Sequence, residues 1–313
     1  MLKVALALLG VVAIPADADT LFAKRLDGTD IQISVERPAS DRPVPILLAV
    51  DGSLCAPEKY SEWINWLASK RNGATPYALV VVEKPSPTVP KLTANGSYDI
   101  GPDFQCSEGF KQHYTIDQRV LDHLQALAYL RKTSPSWWNG RLLIWGFSDG
   151  AHIGARVGLY SPETKAELLV GLGGGTTMAF QLEHSMCSEP NNAKQCRRDF
   201  RAKADEVRTN PTTNKSWLGE ANTYAAWQSR LDTVETNALQ YATFPVLVIH
   251  GVKDGSVPVE SARALAKVLS RPSGSVEYWE IDGMGHGLGS LDAQKGAQLQ
   301  ARSLEWLLQH EGQ

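Results

Sequence analysis

The sequence predicts an α/β fold, a mostly parallel sheet with helices on both faces. Three observations carry that expectation. Short, mainly apolar runs recur at 45–50, 77–82, 141–145, 167–172 and 245–249, and a more mixed run at 275–281 completes the pattern. The first five have strand length and no polar alternation, as strands covered on both faces require. Between them lie stretches with the 3.6-residue apolar period of amphipathic helices, and this βα alternation is the pattern that builds a parallel sheet. Finally, the runs at 45–50, 141–145, 245–249 and 275–281 each break into Gly, Asp, Ser or His at the carboxyl end. Open α/β sheets bind ligands at those ends.

The elements follow in order. Residues 20–26 and 30–36 are short extended runs around Asp27-Gly28, a hairpin signal. The run 45–50 leads into Asp51-Gly52-Ser53. Residues 60–70 place Trp63, Ile64 and Leu67 on one helical face, and 77–82 is a second buried strand. A Pro/Gly/Ser-rich loop is expected over 85–110. Thr115-Ile116-Asp117-Gln118 reads as a capping box opening a helix, with Val120, Leu121, Leu124, Leu127 and Leu130 on one stripe, that stops near Thr133-Ser134-Pro135. The strand 141–145 is followed by a helix over 151–159, then by the strand 167–172. After strand 245–249 a helix starts near Glu260. Strand 275–281 and a helix over 297–310 complete the alternation. Residues 178–243 break the rhythm: they are polar, carry Trp217, Tyr224 and Trp227, and are too long for a simple connection. They are expected to form a mostly helical insertion over the sheet edge.

Length and composition bound the function. At 313 residues the chain fits one large domain with an insertion, or at most two domains, and its 43% apolar and 21% charged content is that of a globular protein with a sizeable core. A net charge of −3, with no basic cluster, gives no reason to expect nucleic acid. Lys3, the apolar run 4–14 and Ala16-Asp17-Ala18 have the form of a cleaved export signal, so residues 1–18 are read as a signal peptide and the mature chain as starting at Asp19. Export to a periplasm or beyond the cell is expected, with no membrane span after cleavage. In an oxidising compartment the four cysteines imply two disulfides. Cys187 and Cys196 are close in sequence and are expected to pair, leaving Cys55 with Cys106. The spacings contain no C-x2-C pair, which argues against zinc.

The chemistry centres on Gly146-Phe147-Ser148-Asp149-Gly150, set directly after a strand and before a helix. The glycines let the chain pass close to itself, so the serine sits on a sharp turn with its hydroxyl above the sheet. A serine hydroxyl is a poor nucleophile unless a base lies within hydrogen-bond reach and a carboxylate orients the base. Asp254 follows strand 245–249 in the loop 250–258. His286 follows strand 275–281 in the glycine-rich loop 283–287. Asp282 is a rival acid that more simply ends its strand. His152 is expected to be a packed helix histidine and His250 a structural one at a strand end. Gly171-x-Gly173-Gly174-Gly175 has no acidic partner for a ribose and is read as room for substrate, not as a dinucleotide site. No H-E-x-x-H helix is present, and neither a metal nor a cofactor is expected.

In order and placement these motifs resemble the α/β-hydrolase superfamily, over nearly the whole chain from residue 19, with 178–243 where that superfamily inserts its caps. The resemblance implies Ser148 as nucleophile, His286 as general base and then acid, and Asp254 as the orienting carboxylate. It implies an oxyanion hole built from the amide of Asp149 and a donor in the loop after strand 45–50. Superfamily members often carry His-Gly in that loop. This chain has Asp51-Gly52-Ser53-Leu54-Cys55, so Ser53 is the expected second donor, with Leu54 next. The implied activity is hydrolysis of a carboxylic ester through an acyl-enzyme. The alternatives are a peptide or amide substrate in the manner of prolyl-oligopeptidase-like members, acyl transfer to another nucleophile, or a catalytically silent binding protein. The charges Glu183, Arg197, Arg198 and Arg201 do not suit the greasy lid of a lipase.

Overall fold

The structure, a computed structural model, describes residues 18–92, 98–99, 104–189, 191–269 and 276–312. The predicted export signal lies outside them except for Ala18. The strands are β1 (Ala18–Lys24), β2 (Asp30–Glu36), β3 (Val44–Val50), β4 (Ala78–Val82), β5 (Lys91–Leu92), β6 (Tyr98–Asp99), β7 (Trp138–Phe147), β8 (Thr164–Val170), β9 (Val246–Gly251) and β10 (Val276–Ile281). Eight of them form one sheet in the order β1-β2-β4-β3-β7-β8-β9-β10, and β5 pairs with β6. The β1/β2 and β2/β4 pairings are antiparallel, while β4, β3, β7, β8, β9 and β10 run parallel.

The helices are α1 (Glu62–Lys70), α2 (Glu108–His113), α3 (Ile116–Thr133), α4 (Asp149–Tyr160), α5 (Met178–Met186), α6 (Ala193–Thr209), α7 (Tyr224–Gln228), α8 (Thr236–Leu239), α9 (Val259–Leu269) and α10 (Ala293–Gln309). Strand parity decides which helix each side chain meets. On β3, Leu47 and Ala49 join a core with Ile64 and Leu67 of α1 and Leu299, Leu304 and Leu307 of α10. Ile46, Leu48 and Val50 point the other way, to Leu127 and Leu130 of α3 and Ile153 and Val157 of α4. The same face continues across β8 and β9 to Leu265 and Leu269 of α9.

Several boundaries move for local reasons. β1 stops at Lys24 because Arg25 turns inward, donating from Nε and Nη2 to Asp122 at 2.8 Å each. Helix α4 begins at Asp149, immediately after the turn serine. Helix α2 begins inside the stretch expected to be loop, runs three residues past its end at 110, and is capped by Ser107, whose hydroxyl accepts the Phe110 N–H. The capping box at α3 is half made: Thr115 accepts the Gln118 N–H, while the Gln118 side chain donates to Asp122. Both expected disulfides are present, Cys55–Cys106 and Cys187–Cys196.

The segment between β8 and β9 carries α5 to α8. Phe200, Ala204 and Val207 recur along one face of α6 and bury against Met178, Tyr224, Trp227 and Leu231, a cluster separate from the sheet's cores. Among the described residues no helix is long and apolar enough to cross a membrane.

Candidate active site

The parallel registers bring five strand ends to one level. Val50 pairs with Gly146, Phe147 with Val170, Val170 with Ile249, and Gly251 with Ile281. The loops that follow β3, β7, β9 and β10 therefore open on the same edge. Ser148 sits there at φ 54°, ψ −122°, a left-handed conformation that a residue with a Cβ adopts only under constraint. The constraint is steric. A Cβ on Gly146 would lie 2.5 Å from the Gly150 carbonyl oxygen, and one on Gly150 would lie 2.0 Å from that of Val50. Both glycines are required for the strand, turn and helix to pass this closely.

The structure joins the three residues that the sequence put in separate loops. His286 Nε2 lies 2.9 Å from Ser148 Oγ, and His286 Nδ1 lies 2.8 Å from Asp254 Oδ2. With Nδ1 protonated and donating to Asp254, Nε2 is free to accept the serine proton. Asp254 Oδ1 accepts the amides of Ser256 and Val257 at 2.8 and 2.9 Å. Burial acts to raise the Asp254 pKa, but the His286 bond and charge and the two amides outweigh it and hold the carboxyl below its usual range. His250 is fully buried, donates from Nε2 to the Val257 carbonyl at 3.0 Å, and stands 3.5 Å from Asp254 Oδ2. Burial lowers its pKa, so it supports the acid loop as a neutral ring. The rival Asp282 is exposed. The His286 ring packs on Phe147 at 5.2 Å between centroids and against Gly171, where a Cβ would come 3.1 Å from Cε1.

The glycine run 171–175 is thus divided. Gly171 gives way to the imidazole. Added Cβ atoms at Gly173, Gly174 and Gly175 would instead meet Val257, Leu265 and the backbone of α9. Those three serve helix packing, which corrects their reading as room for substrate.

Two cavities meet at Ser148. One of about 560 Å³ is lined by Gly52, Ser53, Leu54, Pro57, Tyr60, Trp63, Lys84 and Phe147. Asp51 holds its rim, accepting Trp63 Nε1–H at 2.8 Å. The other, of about 130 Å³, is lined by Ser53, Asp149, His152, Met178, Asn222, Trp227 and Arg230. Both also contain Ser148, Ser256 and His286. The Cys55–Cys106 bond ties the loop two residues beyond Ser53 to the region of α2, beside Phe110 and Tyr114. His152 is buried as expected, with Nδ1 3.0 Å from Glu235 Oε1, which also accepts from Arg156 at 2.9 Å.

Sequence reasoning missed how Asp149 is held. Its carboxylate accepts Arg230 Nη1–H at 2.6 Å and the Tyr114 hydroxyl at 3.1 Å. Burial, and next the Asp149 charge, push the Tyr114 pKa up, so it remains a donor. Arg230 is a lone cation in a polar stretch, and nothing in its neighbours marks it.

The prolyl oligopeptidase family profile matches residues 198–313, a stretch with Asp254 and His286 but without Ser148. Esterase LipC of Mycobacterium tuberculosis is 27% identical over 209 residues, 64% of this chain and 48% of that protein, so the chain spans about half the length of this curated relative. Among solved structures, a putative dienelactone hydrolase from Klebsiella pneumoniae superposes with a TM-score of 0.58 at 16% identity, covering 94% of this chain and 98% of that one. Est1E from Butyrivibrio proteoclasticus gives 0.58 at 14% identity over 94% and 99%. Dipeptidyl peptidase 4 from Porphyromonas gingivalis gives 0.58 at 12% identity over 94% of this chain and 35% of that one. With the sheet order, these structural similarities show that the chain has the α/β-hydrolase fold.

Proposed function

We propose that this protein is an exported serine hydrolase that cleaves a carboxylic ester through an acyl-enzyme. The observation that supports it most is the continuous hydrogen-bond chain Ser148–His286–Asp254 at the carboxyl edge of the sheet. In this reading Ser148 Oγ attacks the carbonyl carbon as its proton passes to His286 Nε2. The tetrahedral oxyanion is held by the amides of Asp149 and Ser53, and preorganised donors of this kind are a large part of such catalysis. His286 then protonates the departing alkoxide, the carbon–oxygen bond breaks, and a water activated by the same imidazole releases the acid. Residues 178–243 act as a cap that walls one side of the site. The two disulfides fit an oxidising compartment.

An amide or short peptide is the second reading. The prolyl oligopeptidase profile over 198–313 favours it, while the name of Esterase LipC favours an ester. Short and long p-nitrophenyl esters assayed beside aminoacyl p-nitroanilides separate the two. Labelling by a fluorophosphonate probe, lost in Ser148→Ala, tests the nucleophile itself. Full labelling of that variant overturns the assignment.

A further inference from the structure

Beside the two catalytic cavities lies a third, of about 540 Å³, that the reaction above does not use. It opens between α1 and the loop after His286. Its wall carries Trp63 and Trp66 of α1, Trp145 and Phe147 of β7, and Leu288. Neither Ser148 nor His286 borders it, and it shares only Trp63 and Phe147 with the large catalytic cavity. Ligand sites are commonly of this size and mostly apolar, with a few polar groups that select the ligand. The three indoles form one surface. The Trp63 and Trp66 rings stand 5.9 and 6.2 Å from the Trp145 ring, tilted by 32° and edge-on at 71°. An aromatic ring is negative over its faces and positive at its edge. The N–H edge of Trp63 is committed elsewhere, donating to Asp51 at 2.8 Å on the rim of the other cavity. The one charged residue on the wall is Glu62, which is exposed and has no ion-pair partner among the described residues. Among those residues no Lys, Arg or His borders the space; Lys70 stands 5.9 Å from the centre of the Trp66 ring but outside the wall.

We infer that this cavity binds a small organic ammonium ion, held by cation–π attraction to the tryptophans and by the Glu62 carboxylate. Charge complementarity decides the occupant. Tryptophan draws a cation more strongly than any other side-chain ring, and a carboxylate at the rim adds to that attraction and repels an acid. A bare metal ion does not fit, since no three candidate ligands gather among the described residues. An alkylated ammonium does fit, because its carbon groups bury against Leu288 and the rings while its charge stays near Glu62. The site goes beyond the hydrolytic reading and does not need it.

The test uses choline and 3,3-dimethylbutan-1-ol, which share a shape and differ by a nitrogen cation in place of a carbon. Each is titrated into the parent protein by calorimetry at low salt, where an exposed carboxylate is least screened. Choline is expected to bind about tenfold or more tighter. Glu62→Gln is expected to weaken choline several-fold and to leave the alcohol unchanged. Trp66→Leu is expected to bring the two affinities close together. Because that ring packs on Trp145, Trp66→Phe, which keeps a weaker ring, is run beside it and is expected to fall between. No binding of choline, equal affinities in the parent, or a preference undiminished in folded Glu62→Gln or in the folded Trp66 variants overturns the site. The cation can arrive free or as the tail of a substrate, and a kinetic arm separates the two. p-Nitrophenyl 4-(trimethylammonio)butanoate and p-nitrophenyl 5,5-dimethylhexanoate differ by the same nitrogen-for-carbon change. A higher kcat/KM for the charged ester, after division by each ester's rate with hydroxide, that disappears in Glu62→Gln assigns the cation to the substrate. Equal or lower values assign it to a free ligand. A parent protein inert toward both esters refutes the hydrolytic reading, and the choline titrations then decide the site by themselves.

Discussion

At the residue scale, the backbone of Ser148 and the carboxylate of Asp254 set the terms. The serine is held in a left-handed turn, and its hydroxyl is aligned with His286 before any substrate arrives. Preorganisation of this kind moves an entropic cost from the reaction to folding. Ser148→Ala is expected to lower kcat by about 10⁴-fold or more. Asp254→Asn is expected to lower kcat by about 10⁴-fold at neutral pH while leaving KM within a few fold, because the amide favours the wrong imidazole tautomer without moving the ring. Steady-state kinetics on a short ester check both. The pKa of Asp254 is depressed in the fold, so its contribution to stability is present above the ordinary 3.8 and is lost as the pH falls through the lower folded value. Asp254→Asn should therefore flatten the acid limb of the thermal-stability profile below about pH 4, where the parent's melting temperature falls.

At the element scale, the turn before α1 and the two disulfides govern how firmly the site's walls stand. Glu58 lies in that turn, 1% exposed. Lys84 and Arg119 lie 3.4 and 3.6 Å from Oε1, yet among the described residues neither carboxyl oxygen accepts a hydrogen bond. Burial outweighs the Lys84 charge and lifts the pKa from its ordinary 4.5 to about 8. A folded value above the unfolded one means the group's contribution is full below 4.5 and is lost as the pH rises toward 8. Glu58→Gln is accordingly expected to match the parent near pH 4.5 and to melt several degrees higher at pH 8, read by calorimetry at both pH values. The disulfides close spans of 51 and 9 residues, worth about 4 and 3 kcal/mol in the chain-entropy picture. Replacing Cys55 and Cys106 together by Ala is expected to lower the melting temperature more than replacing Cys187 and Cys196. It should also lower kcat, since only the former bond pins the loop of Ser53.

At the scale of the whole molecule, what the sequence made legible was whatever depends on local pattern. The strands of β3, β4, β7, β8 and β9 were readable because burial on both faces leaves continuous apolar runs. Ser148, Asp254 and His286 were readable because each is a reactive residue type in the loop at a strand's end. Helix α2 was not, because six residues in a Gly- and Ser-rich setting carry no period. Nor was the clamp on Asp149, since its partners Tyr114 and Arg230 lie 35 and 81 residues away and meet it only in the folded chain. The site itself depends on such convergence, and two glycines separate it from mere stability. Gly150 touches β3: its Cβ would fall 2.0 Å from the Val50 oxygen and 2.6 Å from that of Asp51, so Gly150→Ala must push α4 away from the loop that carries Ser53. Gly28, at φ 86° in the β1–β2 hairpin, has nothing among the described residues within 4 Å of an added Cβ, and Gly28→Ala costs about 1 kcal/mol of backbone strain alone. Both variants should melt lower than the parent. Only Gly150→Ala should also slow fluorophosphonate labelling, by about 10²-fold or more for a displacement near 1 Å. Equal labelling rates in the two folded variants would mean that the contact between β3 and α4 holds the fold but does not set the geometry at Ser148.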